Sequence, residues 1–66
     1  MKAHQERVVH EKHELEERLG KLEKFLTTDV CLDLPFAERV LLVQQAKIMK
    51  DYSNVLQQRI ALFSKE

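Results

Sequence analysis

The chain reads as an all-α protein: two long antiparallel helices forming a helical hairpin, with hairpins assembling into an oligomeric helical bundle. Three observations lead there. Gly and Pro occur once each in 66 residues, while Leu, Glu, Lys and Gln are abundant, a composition that favours uninterrupted helices. Apolar residues repeat at helical spacing in both halves of the chain. The single Pro35 lies between those halves, where it stops one helix and suits the first turn of another. With 44% apolar residues the chain is too hydrophobic to be a disordered polyelectrolyte. Its length sets a single domain, residues 1–66.

Helix 1 is predicted over about residues 2–27. Val8, Leu15 and Leu22 recur every seven residues, and Lys12, Leu19 and Leu26 occupy the alternate seam positions of the heptad. Phe25 widens the apolar face near the turn. Glu14–Arg18 and Glu17–Lys21 are i,i+4 pairs with the acid first, each adding only a few tenths of a kcal/mol. The turn is predicted over residues 28–34, where Thr and Asp side chains compete for backbone hydrogen bonds. Asp33 is the expected N-cap of the second helix, or Leu34 if Pro35 opens it. Val30, Leu32 and Leu34 are expected to fold over and plug the hairpin tip, with Cys31 a small buried hydrophobe.

Helix 2 is predicted over about residues 35–64. Leu42, Met49, Leu56 and Phe63 mark one edge of its apolar face, and Leu41, Ile48, Val55 and Leu62 mark the other. On the ideal helical period that face spans about 160°, more than one partner helix covers. Two helices of about 40 Å make a rod with little interior, and domains of this size gain only about 3–5 kcal/mol from one core. Self-association is therefore expected, with Leu41, Ile48, Met49, Val55, Leu56 and Leu62 as the oligomer interface.

Charge and composition exclude several classes of function. Eleven basic residues balance eleven acidic ones, so DNA or RNA binding has no electrostatic drive. The longest apolar run, Val40 to Val43, is far below the ~20 residues of a membrane span. The N-terminal segment has no signal-peptide apolar region, and a lone cysteine suits a reducing, cytoplasmic setting. His10 and His13 stand three apart and lack the zinc-protease spacing; a solvated helix face is expected there, with no metal and no cofactor. Gly20, in mid-helix, is expected on an exposed face. No nucleophile–base pair or carboxylate pair with a pocket can be named, so the chain is expected not to be an enzyme.

One polar line interrupts the apolar face of helix 2. Gln45, Tyr52 and Arg59 are seven residues apart, stacking at intervals of about 10 Å. Two readings follow. Polar seam residues fix the register of an oligomer. Alternatively they line a ligand pocket between hairpins: Arg59 to grip a phosphate or carboxylate, Tyr52 to stack on a flat ring, Gln45 to read a donor–acceptor edge. Arg39 and Lys47 are further candidate phosphate contacts nearer the turn.

The stretch from Leu41 to Ile60, with Leu41-Leu42, Gln45, Met49, Tyr52, Leu56 and Arg59-Ile60 at fixed spacing, resembles a set of very small tailed-phage proteins known by relation to an open reading frame of a crAss-like phage. Arg7-Val8, Glu14-Leu15, Arg18-Leu19, the run Lys21 to Leu26 and the Leu34-Pro35 turn carry the same resemblance. It implies a phage accessory protein acting in the host bacterial cytoplasm. Small helical phage proteins of this kind include oligomeric sponges that sequester nucleotide signals of defence systems such as CBASS and Thoeris. The resemblance thus implies sequestration of a cyclic nucleotide or ADP-ribose-type signal by a homo-oligomer. The alternative is a helical inhibitor or adaptor that docks Leu41, Ile48, Val55 and Leu62 on a host or phage protein.

Overall fold

The computed structural model describes Met1 to Lys65. Helix α1 runs Ala3–Phe25, a one-turn helix α2 runs Asp29–Leu32, and helix α3 runs Phe36–Ala61 before a final 3₁₀ turn, Leu62–Lys65. The long helices pack antiparallel, giving a rod of 48 × 14 × 14 Å. Helix ends commonly tighten or fray, and here α3 passes into the 3₁₀ turn at Leu62.

α1 begins with the Lys2 backbone N–H donating to Gln5 Oε1 at 3.0 Å, which satisfies an otherwise orphaned donor. The interhelical core is formed by Val8, Leu15 and Leu56, with Met49, Ile60 and Phe63 packed against it. Leu19 is also buried, whereas Lys12, Leu22, Phe25 and Leu26 are half-buried. The heptad seam read in α1 is therefore the face that meets α3, and Gln5 extends it by one step toward the N-terminus, buried at 6% exposure. At the open end of the hairpin the His4 ring stands edge-on to Phe63, centroids 6.3 Å apart.

Along α3 and into the final turn the side chains facing α1 follow the steps 42, 46, 49, 53, 56, 60 and 63, alternating four and three as a coiled-coil seam requires. Leu56 is fully buried at 0% exposure. Ser53 occupies a seam position and donates to Glu16 Oε1 at 3.2 Å, so its hydroxyl is not left unsatisfied between the helices. Gly20 is exposed, and an added Cβ there would meet nothing within 4 Å. It is a helix position without a packing role.

The tip differs from expectation in two ways. Val30 and Leu32 are 64% and 61% exposed, while Cys31 is buried at 3% and Leu34 is half-buried. A single helical turn directs only one of its apolar side chains inward, and here that residue is Cys31. Thr28 fixes the turn: its hydroxyl accepts from the Cys31 N–H at 3.2 Å and donates to the Phe25 carbonyl at 2.6 Å. The N-cap of α3 is neither Asp33 nor Leu34 but Pro35, with extended backbone at φ −53°, ψ 144°. Asp33 instead closes α2, its N–H donating to Asp29 at 3.1 Å. Pro35 itself takes an extended ψ, so helix entry is delayed to Phe36, and the Pro35 carbonyl accepts from Glu38 and Arg39 at 3.0 and 3.1 Å.

Candidate functional site

α3 carries a second seam. Leu41, Gln45, Ile48, Tyr52, Val55, Arg59 and Leu62 again alternate steps of four and three, and every one is exposed. On the ideal period their mean direction lies about 100° around the helix from the face that meets α1. The two edges of the predicted apolar arc thus separate physically: one makes the hairpin core, the other faces outward. Leu41 and Ile48 are 63% and 57% exposed, which is costly for large apolar side chains aligned along one helix. Met49 and Leu56, expected on the oligomer face, lie instead within the hairpin, because they fall on the steps directed at α1.

Within this outward seam the structure brings Tyr52 to helix 1. Its hydroxyl donates to Glu11 Oε1, fixing the ring at the middle of the face while leaving it 42% exposed. That hydrogen bond, followed by partial burial and the Glu11 charge, pushes the phenol pKa above its ordinary 10.0, with the Arg59 charge opposing. The protonated form is the one Glu11 holds. Arg59, seven residues further along the same seam, makes no side-chain hydrogen bond or ion pair among the described residues. Glu11 and Glu16 of α1 are engaged by Tyr52 and by Lys12 and Ser53 respectively. The hydrogen bond from Lys12 is the main reason the Glu16 carboxyl sits below its ordinary value. Gln45 and Arg59 are 14 residues apart, or about 21 Å along one helix. Within a single chain, Gln45, Tyr52 and Arg59 share a face but do not converge.

Two shallow concavities lie away from this face. One, of about 310 Å³, runs along the helix pair between Val9, Lys12, His13, Glu16, Gln57 and Ile60. The other, of about 300 Å³, is lined by Phe36, Arg39, Val40 and Val43 beside the tip. There Arg39 stacks over the Phe36 ring at 5.7 Å, and its Nε is buried without a hydrogen-bond partner. The sequence reading of Arg39 as a cation near the turn did not register the exposed Phe36 beside it. His10 and His13 pair with Glu14 and Glu17 at 2.9 and 3.3 Å, and Arg18 reaches Glu14 at 3.9 Å. All are surface contacts worth little each. Among the described residues no three His, Cys, Asp or Glu groups are placed to hold a metal, and no helix is long and apolar enough to cross a membrane.

Fold and exposed face together define a small helical hairpin that presents a half-polar seam outward. The chain belongs to the Sequestin family, whose model matches residues 2–62, from the cap of α1 to the start of the last turn. No curated protein and no solved structure matches the chain. The family name denotes sequestration.

Proposed function

We propose that this chain is a phage counter-defence sponge: a homo-oligomer of hairpins that binds a nucleotide immune signal in the host cytoplasm and withholds it without chemical change. The ligand class is a cyclic dinucleotide or an ADP-ribose-type molecule. The observation that carries the reading is the outward seam of α3, where an arginine, a tyrosine held by Glu11 and a glutamine alternate with four exposed apolar side chains. A guanidinium binds phosphate in a two-pronged contact. A tyrosine fixed at its hydroxyl offers a ring to stack on a base without first losing much side-chain freedom. Long helices make such a face rigid in advance of binding. Family membership supports sequestration, and the resemblance to small tailed-phage proteins supports the setting.

Titration calorimetry against a panel of cyclic dinucleotides and ADP-ribose derivatives tests this. Wild type is expected to bind at least one and release it unchanged. Arg59→Ala is expected to keep its helical circular dichroism and to lose a charge-assisted contact worth about 1.5–3 kcal/mol, weakening the ligand roughly tenfold or more. Equal binding by both proteins places the phosphate contact elsewhere. Silence across the panel, with a host protein co-purifying instead, favours the inhibitor reading.

A further inference from the structure

We infer that two copies of this chain join α3 to α3 in antiparallel orientation about a twofold axis at Tyr52, and that each ligand site is completed by Arg59 of one copy and Gln45 of the other. The inference rests on the sequestering reading for its ligand, but its geometry stands on the seam alone.

The outward seam is a near-palindrome. Read from either end it runs apolar, polar, apolar, Tyr52, apolar, polar, apolar: Leu41, Gln45, Ile48, then Val55, Arg59, Leu62. An antiparallel copy centred on Tyr52 sets Leu41 opposite Leu62, Ile48 opposite Val55 and Gln45 opposite Arg59. Every apolar side chain then meets an apolar one, and each polar residue meets a polar one. Twofold interfaces demand this self-complementarity, because each residue meets in its partner the residue that meets it. A parallel copy sets Arg59 against Arg59, two like charges in a desolvated seam. The antiparallel copy instead gives the guanidinium an amide oxygen as acceptor. The zero net charge removes any long-range repulsion between copies.

The same arrangement cures the separation within one chain. Gln45 and Arg59 lie about 21 Å apart on their own helix, but across the axis each stands level with the other's counterpart. Two equivalent sites result, each about 10.5 Å from the central Tyr52 pair. Arg59 then holds a phosphate, the partner copy supplies the amide, and the Tyr52 rings, tied back by Glu11, form the wall between the two sites. A nucleotide with phosphate at one end and a base at the other matches that spacing.

Disulfide trapping under mild oxidation tests the geometry, read on non-reducing gels. Wild type, with only buried Cys31, serves as the blank. Leu41→Cys and Leu62→Cys are made singly and together, since both side chains are exposed in the hairpin and the fold does not depend on them. The double variant is expected to trap as a covalent dimer while each single variant stays at the blank level. Positions 41 and 62 lie about 32 Å apart within one chain, which excludes an internal bridge. If circular dichroism shows that a variant has lost its helices, Ile48→Cys and Val55→Cys repeat the test with the same expectation. Single variants that trap with themselves overturn the inference in favour of parallel packing. A double variant that does not trap overturns it as well. Nucleotide calorimetry on wild type is read separately: binding without trapping leaves sequestration standing and removes this geometry, and trapping without binding does the reverse.

Discussion

Leu56 is the residue on which the hairpin most depends, and truncating it gives the sharpest test of the packing. It is fully buried between the Val8–Leu15 stretch of α1 and the flanking Met49 and Ile60 of α3, with Phe63 of the final turn packed beside them. Leu56→Ala removes three carbons, about 2.4 kcal/mol at roughly 0.8 kcal/mol each. A cavity raises such losses toward about 5 kcal/mol in rigid cores. A rod only 14 Å across has few layers to hold a void open, so collapse is easy and the expected loss is about 2–3 kcal/mol. Against the few kcal/mol available to a domain this small that is most of the stability, and at ~4–8 °C per kcal/mol it lowers the melting temperature by roughly 10–20 °C. The control is the preceding residue: Val55 is half exposed and stands outside the core cluster around Leu56. The assay is urea unfolding followed by circular dichroism at several protein concentrations. A concentration-independent loss is expected for Leu56→Ala, and a concentration-dependent one for Val55→Ala if copies associate through the outward seam. A change below about 0.5 kcal/mol for Leu56→Ala, the range of ordinary surface substitutions, refutes the helix phase on which the whole account rests.

Two further outcomes follow from single side chains. Gly20→Ala is expected to raise stability by up to about 1 kcal/mol, because Ala is the better helix former and the added Cβ meets nothing; a lower melting temperature would reveal a partner seated on that face. Tyr52 is the chain's single tyrosine, so its ultraviolet absorbance titration is expected to show a midpoint above 10.0, set mainly by the hydrogen bond to Glu11. A pKa raised in the folded state contributes stability that is complete below the unfolded value and lost as pH rises through the folded one. Unfolding should therefore become easier on the alkaline side of pH 10 in wild type, with the slope reduced in Tyr52→Phe. An ordinary midpoint, or one unmoved in Glu11→Gln, shows that the hydrogen bond does not persist in solution.

The fold was legible because its causes are local and periodic. Heptad repeats at Val8, Leu15 and Leu22 and at Leu42, Met49 and Leu56, with one proline between, specify two helices, and the sequence alone assigns a wide apolar face to α3. It also marked Gln45, Tyr52 and Arg59 as one line, since seven-residue spacing is a property of the helix alone. It did not determine which edge of the arc turns inward, because both edges are equally apolar and the choice depends on how α1 lies against α3. By spacing alone Met49 and Leu56 are indistinguishable from the outward residues, although they build the core. The tip is ambiguous for a related reason: alternating apolar residues at Val30, Leu32 and Leu34 suggest a plug, but one helical turn capped by Thr28 rotates Cys31 inward and its neighbours out. Only the tertiary structure paired Tyr52 with Glu11, 41 residues away in the chain, and Glu16 with Ser53. Those contacts depend on the axial stagger of two helices, which hydrophobic spacing leaves free to slide by a whole turn until the loop length and the packed side chains fix it.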